Sequence, residues 1–401
     1  MNVLLLDIQW KALLPLCFGK PIGHLLIGMD SVEAKWKRYL GSNPTSCSAA
    51  YLHSLADEIP SRSYVVVNSS LLPNQHLADA IKHLATGEIL MRGAQYLAGN
   101  FADFSPAEAM LQIERGEEIT QLSVGKVIDY AEEIKVLNRP ADIFAYNDAI
   151  LRQDFDELTK GMRTIDLPKH VTHTGNDLFA APGAIVHPCY INTTTGPVYI
   201  AEKAEVMEGA MLRGPLYIGE GTTIKMGAKI YGATSIGAHC RAGGELNNVV
   251  MQAYSNKGHD GFLGNSVIGS WCNLGADTNT SNLKNNYGNV RVWSYEAREA
   301  IDTELQFHGL IMGDHSKAGI NTMFNTGTVV GMNANIFNAG FPPKFIPSFA
   351  WMDAGALTES FRIEKAIEVA EAMMSRRNLH LSEQEKAVFK WVSQYEAENR
   401  R

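Results

Sequence analysis

Cysteine is scarce and scattered. The chain has five in 401 residues (Cys17, Cys47, Cys189, Cys240 and Cys272), an odd number without a CxxC pair. That pattern argues against a disulfide framework and against a cysteine zinc site. Basic charge is also in deficit, with 35 Lys and Arg against 43 Asp and Glu and a net charge of −8. Nucleic acid is therefore not expected as the main partner, because phosphate backbones are bound with surplus Lys and Arg. A small basic pocket for a sugar phosphate or nucleotide stays open. No stretch reaches the roughly 18 apolar residues of a membrane helix. The opening MNVLLLDIQWKALLPLCFGK lacks the basic start of a signal peptide, and Asp7 and Lys11 interrupt it. These absences lead to the expectation of a soluble, cytoplasmic protein without a membrane partner.

What is present is a repeat. From Ile200 an aliphatic residue falls at every sixth position: Ile200, Val206, Leu212, Ile218, Ile224, Ile230 and Ile236. Four places after the first six stand Ala204, Ala210, Leu216, Thr222, Ala228 and Thr234, nearly all small. A period of six fits neither an amphipathic helix nor an alternating strand. It predicts a parallel β-helix whose coils have three short strands and three tight corners, stable only when stacked. The phase slips by two residues near Gly243 and Gly244, then resumes at Val250, Asn256, Phe262, Ile268 and Leu274, with Asn256 breaking the inward rule. After a looser segment over residues 280–310, a third run follows at Met312, Ala318, Phe324, Val330 and Ile336. The β-helix is expected over about residues 178–341.

The flanks differ. Asn2–Leu6 and Tyr64–Val67 read as buried strands and LADAIKHLA as a helix, so an α/β domain is expected over residues 1–160, followed by a connector over 161–177. Past Phe341, the prolines of FPPKFIPS are expected to end both ladder and helix. Two amphipathic helices then fill residues 342–401, the first with Ile363, Ile367, Ala370 and Met374 on one face. The second opens on the capping box Ser382-x-x-Glu385 and carries Val388, Trp391, Val392 and Tyr395. Their expected role is packing against the β-helix or a neighbouring subunit.

The hexapeptide coil resembles the left-handed β-helix acyltransferases, a superfamily of trimers with active sites between subunits. The segment His259–Asn282, HDGFLGNSVIGSWCNLGADTNTSN, resembles without a gap the acetyltransferase region of the bifunctional UDP-N-acetylglucosamine diphosphorylase/glucosamine-1-phosphate N-acetyltransferase family. With ALLPLCFGKPIG, VVVNSSLLP and FPPKFIPSFAW, the whole chain is most similar to that family's alternative, Bacteroidetes-type branch. The resemblance implies an α/β nucleotidyltransferase-like domain, then a left-handed parallel β-helix and a helical tail. It implies acetyl-CoA as acyl donor, an amino-sugar 1-phosphate as acceptor and a homotrimer. His259 takes the position of the catalytic base, Asn273 and Asn282 those of sugar contacts, and Ala276, beside Gly275, that of a residue near the thioester. Three positions depart from the family pattern: Phe262 and Leu283 replace tyrosines, and Asn247 replaces a phosphate-binding lysine. Lys257, Lys284, Tyr287 and Arg291 are candidates to supply the missing charge and hydrogen bonds.

Histidine suits the chemistry, because the attacking amine must be neutral and a base near pH 7 must take its proton. The oxyanion of the tetrahedral intermediate needs preorganised N–H donors, which the corner Asn273-Leu274-Gly275-Ala276 is expected to offer. His308 and His315, with Asp314 and either His239 or His259, raise a zinc reading, but HGLIMGDH is not a specific spacing and no metal is expected there.

The first domain is ambiguous. Sugar nucleotidyltransferases cradle phosphates in a glycine-rich loop after the first strand and hold Mg²⁺ with an acidic residue after a later one. This chain has DIQWKALLPLCFGKP and Asn68 instead. Either the domain transfers a nucleotidyl group from a nucleoside triphosphate through a divergent loop, with Lys20 on phosphate and Mg²⁺ bound, or it is degenerate. A sugar nucleotidyltransferase, or a non-catalytic sugar-nucleotide sensor or scaffold, stands as the alternative to an acetyltransferase.

Overall fold

The computed structural model describes residues 1–53, 59–337, 340–353 and 356–399. Its first domain is a mixed sheet of β1 (Val3–Leu6), β2 (Thr45–Cys47), β3 (Arg62–Asn68), β4 (Glu88–Arg92), β5 (Gln95–Phe104) and β6 (Lys126–Asp129), in the order β2-β1-β3-β5-β4-β6. β1 is parallel to β2 and β3, and β5 runs antiparallel to β3 and β4. The unbroken VLLL of β1 is wholly buried, as a central strand covered on both faces must be. Three short helices, α1 (Val32–Leu40), α2 (Gln75–Lys82) and α3 (Pro106–Arg115), are each capped by a side chain: Ser31, Asn74 and Ser105.

Helix α4 (Ala141–Leu158) joins this domain to the β-helix. Asn147 on α4 accepts the Gly28 N–H at 2.8 Å and donates to Ala233 O at 2.8 Å. Gln252 exchanges two hydrogen bonds with the Leu26 backbone. Lys35, Arg38 and Asp154 form a buried ion-pair group behind this seam.

The parallel coils run from Thr172–Thr174 to Ala350–Asp353, and the helix is left-handed. The period of six becomes a coil of three faces: Ile200 pairs with Ile218 and Ile218 with Ile236, while Val206 pairs with Ile224 on the next face. All seven aliphatics of the first run, and all five members of the third, are buried in one core.

Three expectations need correction. The slip at Gly243–Gly244 is a shortening: the inward residues after Ala242 are Leu246, Met251, Lys257 and Leu263, with the expected phase regained at Ile268. Val250, Asn256 and Phe262 therefore do not point inward. Val250 packs outward against the first domain, and Lys257 takes the core position that Asn256 was expected to break. Second, FPPKFIPS does not end the ladder. Phe345–Ile346 pairs with Val329–Val330, because a two-residue strand fits between Pro343 and Pro347 and leaves the prolines to the corners. Third, the expected connector already contains the first coil strand, Thr172–Thr174.

The looser segment is an inserted hairpin, Arg291–Ser294 with Glu299–Asp302, after which the coil closes with Ile268 beside Met312. Tyr295 from its turn meets Phe18 of the first domain edge-on at 5.2 Å. Helices α5 (Ile363–Ser375) and α6 (Glu383–Asn399) close the chain. The capping box forms, Ser382 N–H donating to the Glu385 carboxylate at 2.7 Å and Glu385 N–H to Ser382 Oγ at 3.2 Å. Trp391 stacks on Tyr51 at 3.6 Å and Phe389 meets His315, so α6 packs on both domains.

Candidate functional site

His259 stands on the corner between the strand Asn256–Lys257 and the strand that begins at Phe262. The corner turns tightly: Gly261 has φ +113°, and a Cβ there would run into the Thr278 backbone. The imidazole is exposed. Directly beneath lies the corner Gly275–Thr278, tied to it by the Asp277 N–H donating to Asp260 O at 3.1 Å. The structure thus stacks His259 over Gly275 and Ala276. The Gly275 N–H, expected as an oxyanion donor, instead donates to Ala318 O at 3.0 Å within the ladder.

The other candidates divide between the two faces that meet at this corner. Asn273 pairs in register with Asn256 on one face. Phe262 pairs with Glu245, and Asn247 with Gly264, on the other. Asn282 approaches this second face, its Nδ2 donating to Asn265 Oδ1 at 2.7 Å. The Phe262 ring and the Asn282 amide both crowd Gly264, where a Cβ would lie 2.6 Å from each. Leu283 bridges to Phe307 at the base of the inserted hairpin.

Lys257 does not reach either face. Its ammonium donates to His259 O at 2.9 Å, Asp260 O at 3.3 Å and Gly243 O at 3.4 Å, so it holds the histidine corner from inside the coil. Burial lowers its pKa to about 8. Lys284 and Tyr287 lie on the exposed loop leading into the hairpin, Lys284 donating to Asn289 O. Arg291 is held by Ala300 O across that hairpin. The hydrogen bonds of all three stay within this loop and hairpin, away from the His259 corner.

His308 and His315 are buried in different surroundings, and burial lowers both pKa values, that of His308 to about 4. His308 packs edge-on against Phe144, and His315 lies between Trp271 and Phe389. Among the described residues no group of three or more His, Cys, Asp or Glu could hold a metal ion.

Beside the His259 corner opens a cleft of about 460 Å³ between the coil face and α5. Its coil wall carries Arg241, Asn256, Asn273 and Lys317 in register, and α5 with the residues just past its end adds Arg376 and Arg377. Of these, only Asn273 is a site candidate from the sequence. The coil-wall residues were readable in principle, each standing one place before an inward position (Ala242, Lys257, Leu274, Ala318). The α5 arginines carried no such signal, because only folding brings them there.

In the first domain, the loop after β1 is filled by buried Trp10, Leu13, Leu14, Leu16, Cys17 and Phe18 rather than shaped as a phosphate cradle. Lys20 leaves this domain altogether: its ammonium lies 3.0 Å from Asp314 Oδ2 and 2.7 Å from Ser270 Oγ on the β-helix. Asp7 is fully buried, accepting from Ile22 N–H at 2.9 Å and from Ser69 Oγ. Asn68 accepts from Ser70 N–H and donates to Tyr96 O. These strand-end groups do not fit Mg²⁺, which requires several accessible oxygens. A separate cavity of about 630 Å³ lies over the loop, lined in part by Lys11, Tyr96, Glu117 and Glu118. Gln9 and Trp10 also border it, and among the described residues the buried Gln9 Oε1 and Trp10 Nε1 have no hydrogen-bond partner.

Comparison with known proteins agrees with this architecture. Residues 3–163 match the sugar nucleotidyl transferase family. The chain is 31% identical over 90 residues to the bifunctional protein GlmU of Methanococcus aeolicus, covering 22% of this chain and 21% of the relative. It is 39% identical over 75 residues to the bifunctional protein GlmU of Methanocaldococcus jannaschii, covering 19% of this chain and 18% of the relative. The matched stretches span about a fifth of these curated relatives. A match to the sugar nucleotidyl transferase family over residues 3–163 thus precedes a parallel β-helix, in a chain that is similar over short stretches to bifunctional GlmU proteins.

Proposed function

We propose that this chain is a transferase acting on sugar phosphates, and that its β-helix moves an acetyl group from acetyl-CoA to the amine of an amino-sugar 1-phosphate such as glucosamine 1-phosphate. The observation that carries the reading is the position of His259, an exposed imidazole on a rigid corner between two polar faces. As general base, His259 takes a proton from the sugar ammonium. The freed amine attacks the thioester carbon, and collapse of the tetrahedral intermediate breaks the C–S bond, the nitrogen's second proton passing to the departing CoA thiolate. Asn273 and Asn282 orient the sugar from the two faces, and Ala276 lies beneath the acetyl group. An exposed corner gives little shelter from water, which fits a cytoplasmic homotrimer in which a neighbouring copy covers it.

The test is thiol release from acetyl-CoA, followed with glucosamine 1-phosphate. His259→Ala is expected to lose at least 100-fold in kcat with an unchanged fold. Full activity in that variant would remove His259 as the base.

A second activity, nucleotidyl transfer, is supported by the family match of residues 3–163 and by the cavity beside Gln9 and Trp10. Pyrophosphate release from UTP and N-acetylglucosamine 1-phosphate tests it; its absence, with thiol release intact, would leave the first domain as a binding or packing unit.

A further inference from the structure

The cleft between the coil face and α5 gathers Arg241, Lys317, Arg376 and Arg377, and among the described residues no acidic side chain lines it. This happens in a chain of net charge −8. The cations repel one another. Burial first, and then Arg241 and Arg376, lower the pKa of Arg377, and burial brings that of Lys317 down to about 8. Positive charge concentrated in a partly desolvated cleft is unfavourable until an anion enters.

The cleft also presents polar groups of another kind. Among the described residues Asn256 Oδ1 is buried without a hydrogen-bond partner, which leaves it an acceptor for a ligand hydroxyl. Asn273 lies next to it in register. Behind them runs a ladder of rings: His239 on Tyr254 at 5.0 Å, Tyr254 on Trp271 at 4.2 Å and Trp271 on His315 at 6.1 Å. Tyr254 and Trp271, the two rings that line the cleft, are covered on both faces by this ladder, so among the described residues the cleft offers no ring face for a nucleobase to stack on.

Anion binding, hydroxyl recognition and the absence of a stacking surface together select a ligand class. We propose that this cleft binds a phosphorylated sugar, with Arg241, Arg376 and Arg377 on the phosphate and Asn256 and Asn273 on the hydroxyls. The C-terminal helix then belongs to a binding site and does more than pack. Bidentate geometry makes arginine the suitable residue for such a phosphate. Lys317, whose ammonium donates to His315 O at 2.8 Å, adds charge without direct contact.

Isothermal titration of the full chain tests this, with glucosamine 1-phosphate, glucose 1-phosphate and unphosphorylated glucosamine as probes. Using glucosamine 1-phosphate rests on the acetyl-transfer reading; glucose 1-phosphate, which has no amine to acetylate, does not. Both phosphates are expected to bind, glucosamine at least tenfold more weakly. R376Q/R377Q is expected to weaken both phosphates at least tenfold, while Lys82→Gln, an exposed charge on α2 of the first domain, binds them as the unaltered chain does. Undiminished binding in R376Q/R377Q overturns the proposal, as does equal affinity for glucosamine or no binding of either phosphate. Binding without thiol release would instead count against acetyl transfer and leave the cleft assignment standing.

Discussion

Lys20 and Asp314 are an ion pair at 3.0 Å, joining the loop after the first strand to a coil of the β-helix. Asp314 also accepts the Ser270 N–H at 2.7 Å, and Ser270 Oγ accepts from Lys20, so three groups close one polar knot between the domains. A side chain expected to touch nucleotide phosphate is therefore a strut. Both partners are largely buried, and removing one leaves the other uncompensated. Lys20→Met is expected to cost about 2–4 kcal/mol in urea denaturation. Nucleotide affinity in titration should not change. A lost affinity at unchanged stability would restore Lys20 to the phosphate.

Asp7 carries a buried carboxyl whose pKa burial raises to about 6. The unfolded value is near 4, so the folded state holds the extra proton between these two limits. Its contribution is full below about pH 4 and is lost as pH rises through 6. Asp7→Asn still accepts the Ile22 N–H and cannot ionise. It is expected to stabilise the protein at pH 7 by up to about 2 kcal/mol, and much less at pH 4. Equal effects at the two pH values, measured by urea midpoints, would contradict this.

Lys257 works in the opposite sense. Its folded pKa of about 8 lies below the ordinary 10.5, so the unfolded chain binds more protons between those values and stability rises with pH across that window. Lys317 has a similarly lowered value and contributes in the same window. Lys257→Met should remove about half of the rise between pH 8 and 10. It should also slow thiol release, because the carbonyls of His259 and Asp260 lose their ammonium donor. An unaltered rate would show that the corner holds its shape without it.

Gly264 is the narrow point of the second face. A methyl group there would press on Phe262 Cζ and Asn282 Nδ2, each 2.6 Å away. Both are side-chain atoms able to move, so Gly264→Ala is expected to cost only about 1–2 kcal/mol of stability. The displaced Asn282 should raise KM for the sugar phosphate several-fold with less effect on that for acetyl-CoA. Equal changes in both KM values would argue that Asn282 does not orient the sugar.

The architecture was legible because a β-helix writes its geometry into the chain locally. Each inward position repeats with the coil, so Ile200 through Ile236 and Met312 through Ile336 declare the core before any contact is known. The same regularity explains the error between them. At Gly243–Gly244 the coil shortens, and a phase shift of one residue exchanges Lys257 for Asn256 and Leu263 for Phe262. No local propensity distinguishes those two phases when the competing residues include a lysine that can satisfy three carbonyls from inside.

By itself the sequence determined that an α/β segment precedes a β-helix and, outside residues 243–267, which positions face the coil interior, since both follow from short-range periodicity. Only the tertiary structure decided what the charged side chains do. Lys20 and Asp314 are nearly three hundred residues apart, and the arginines after α5 reach Arg241 only when that helix folds back across the coils. A charge takes its role from the partner that burial brings to it, and that partner is set by long-range packing.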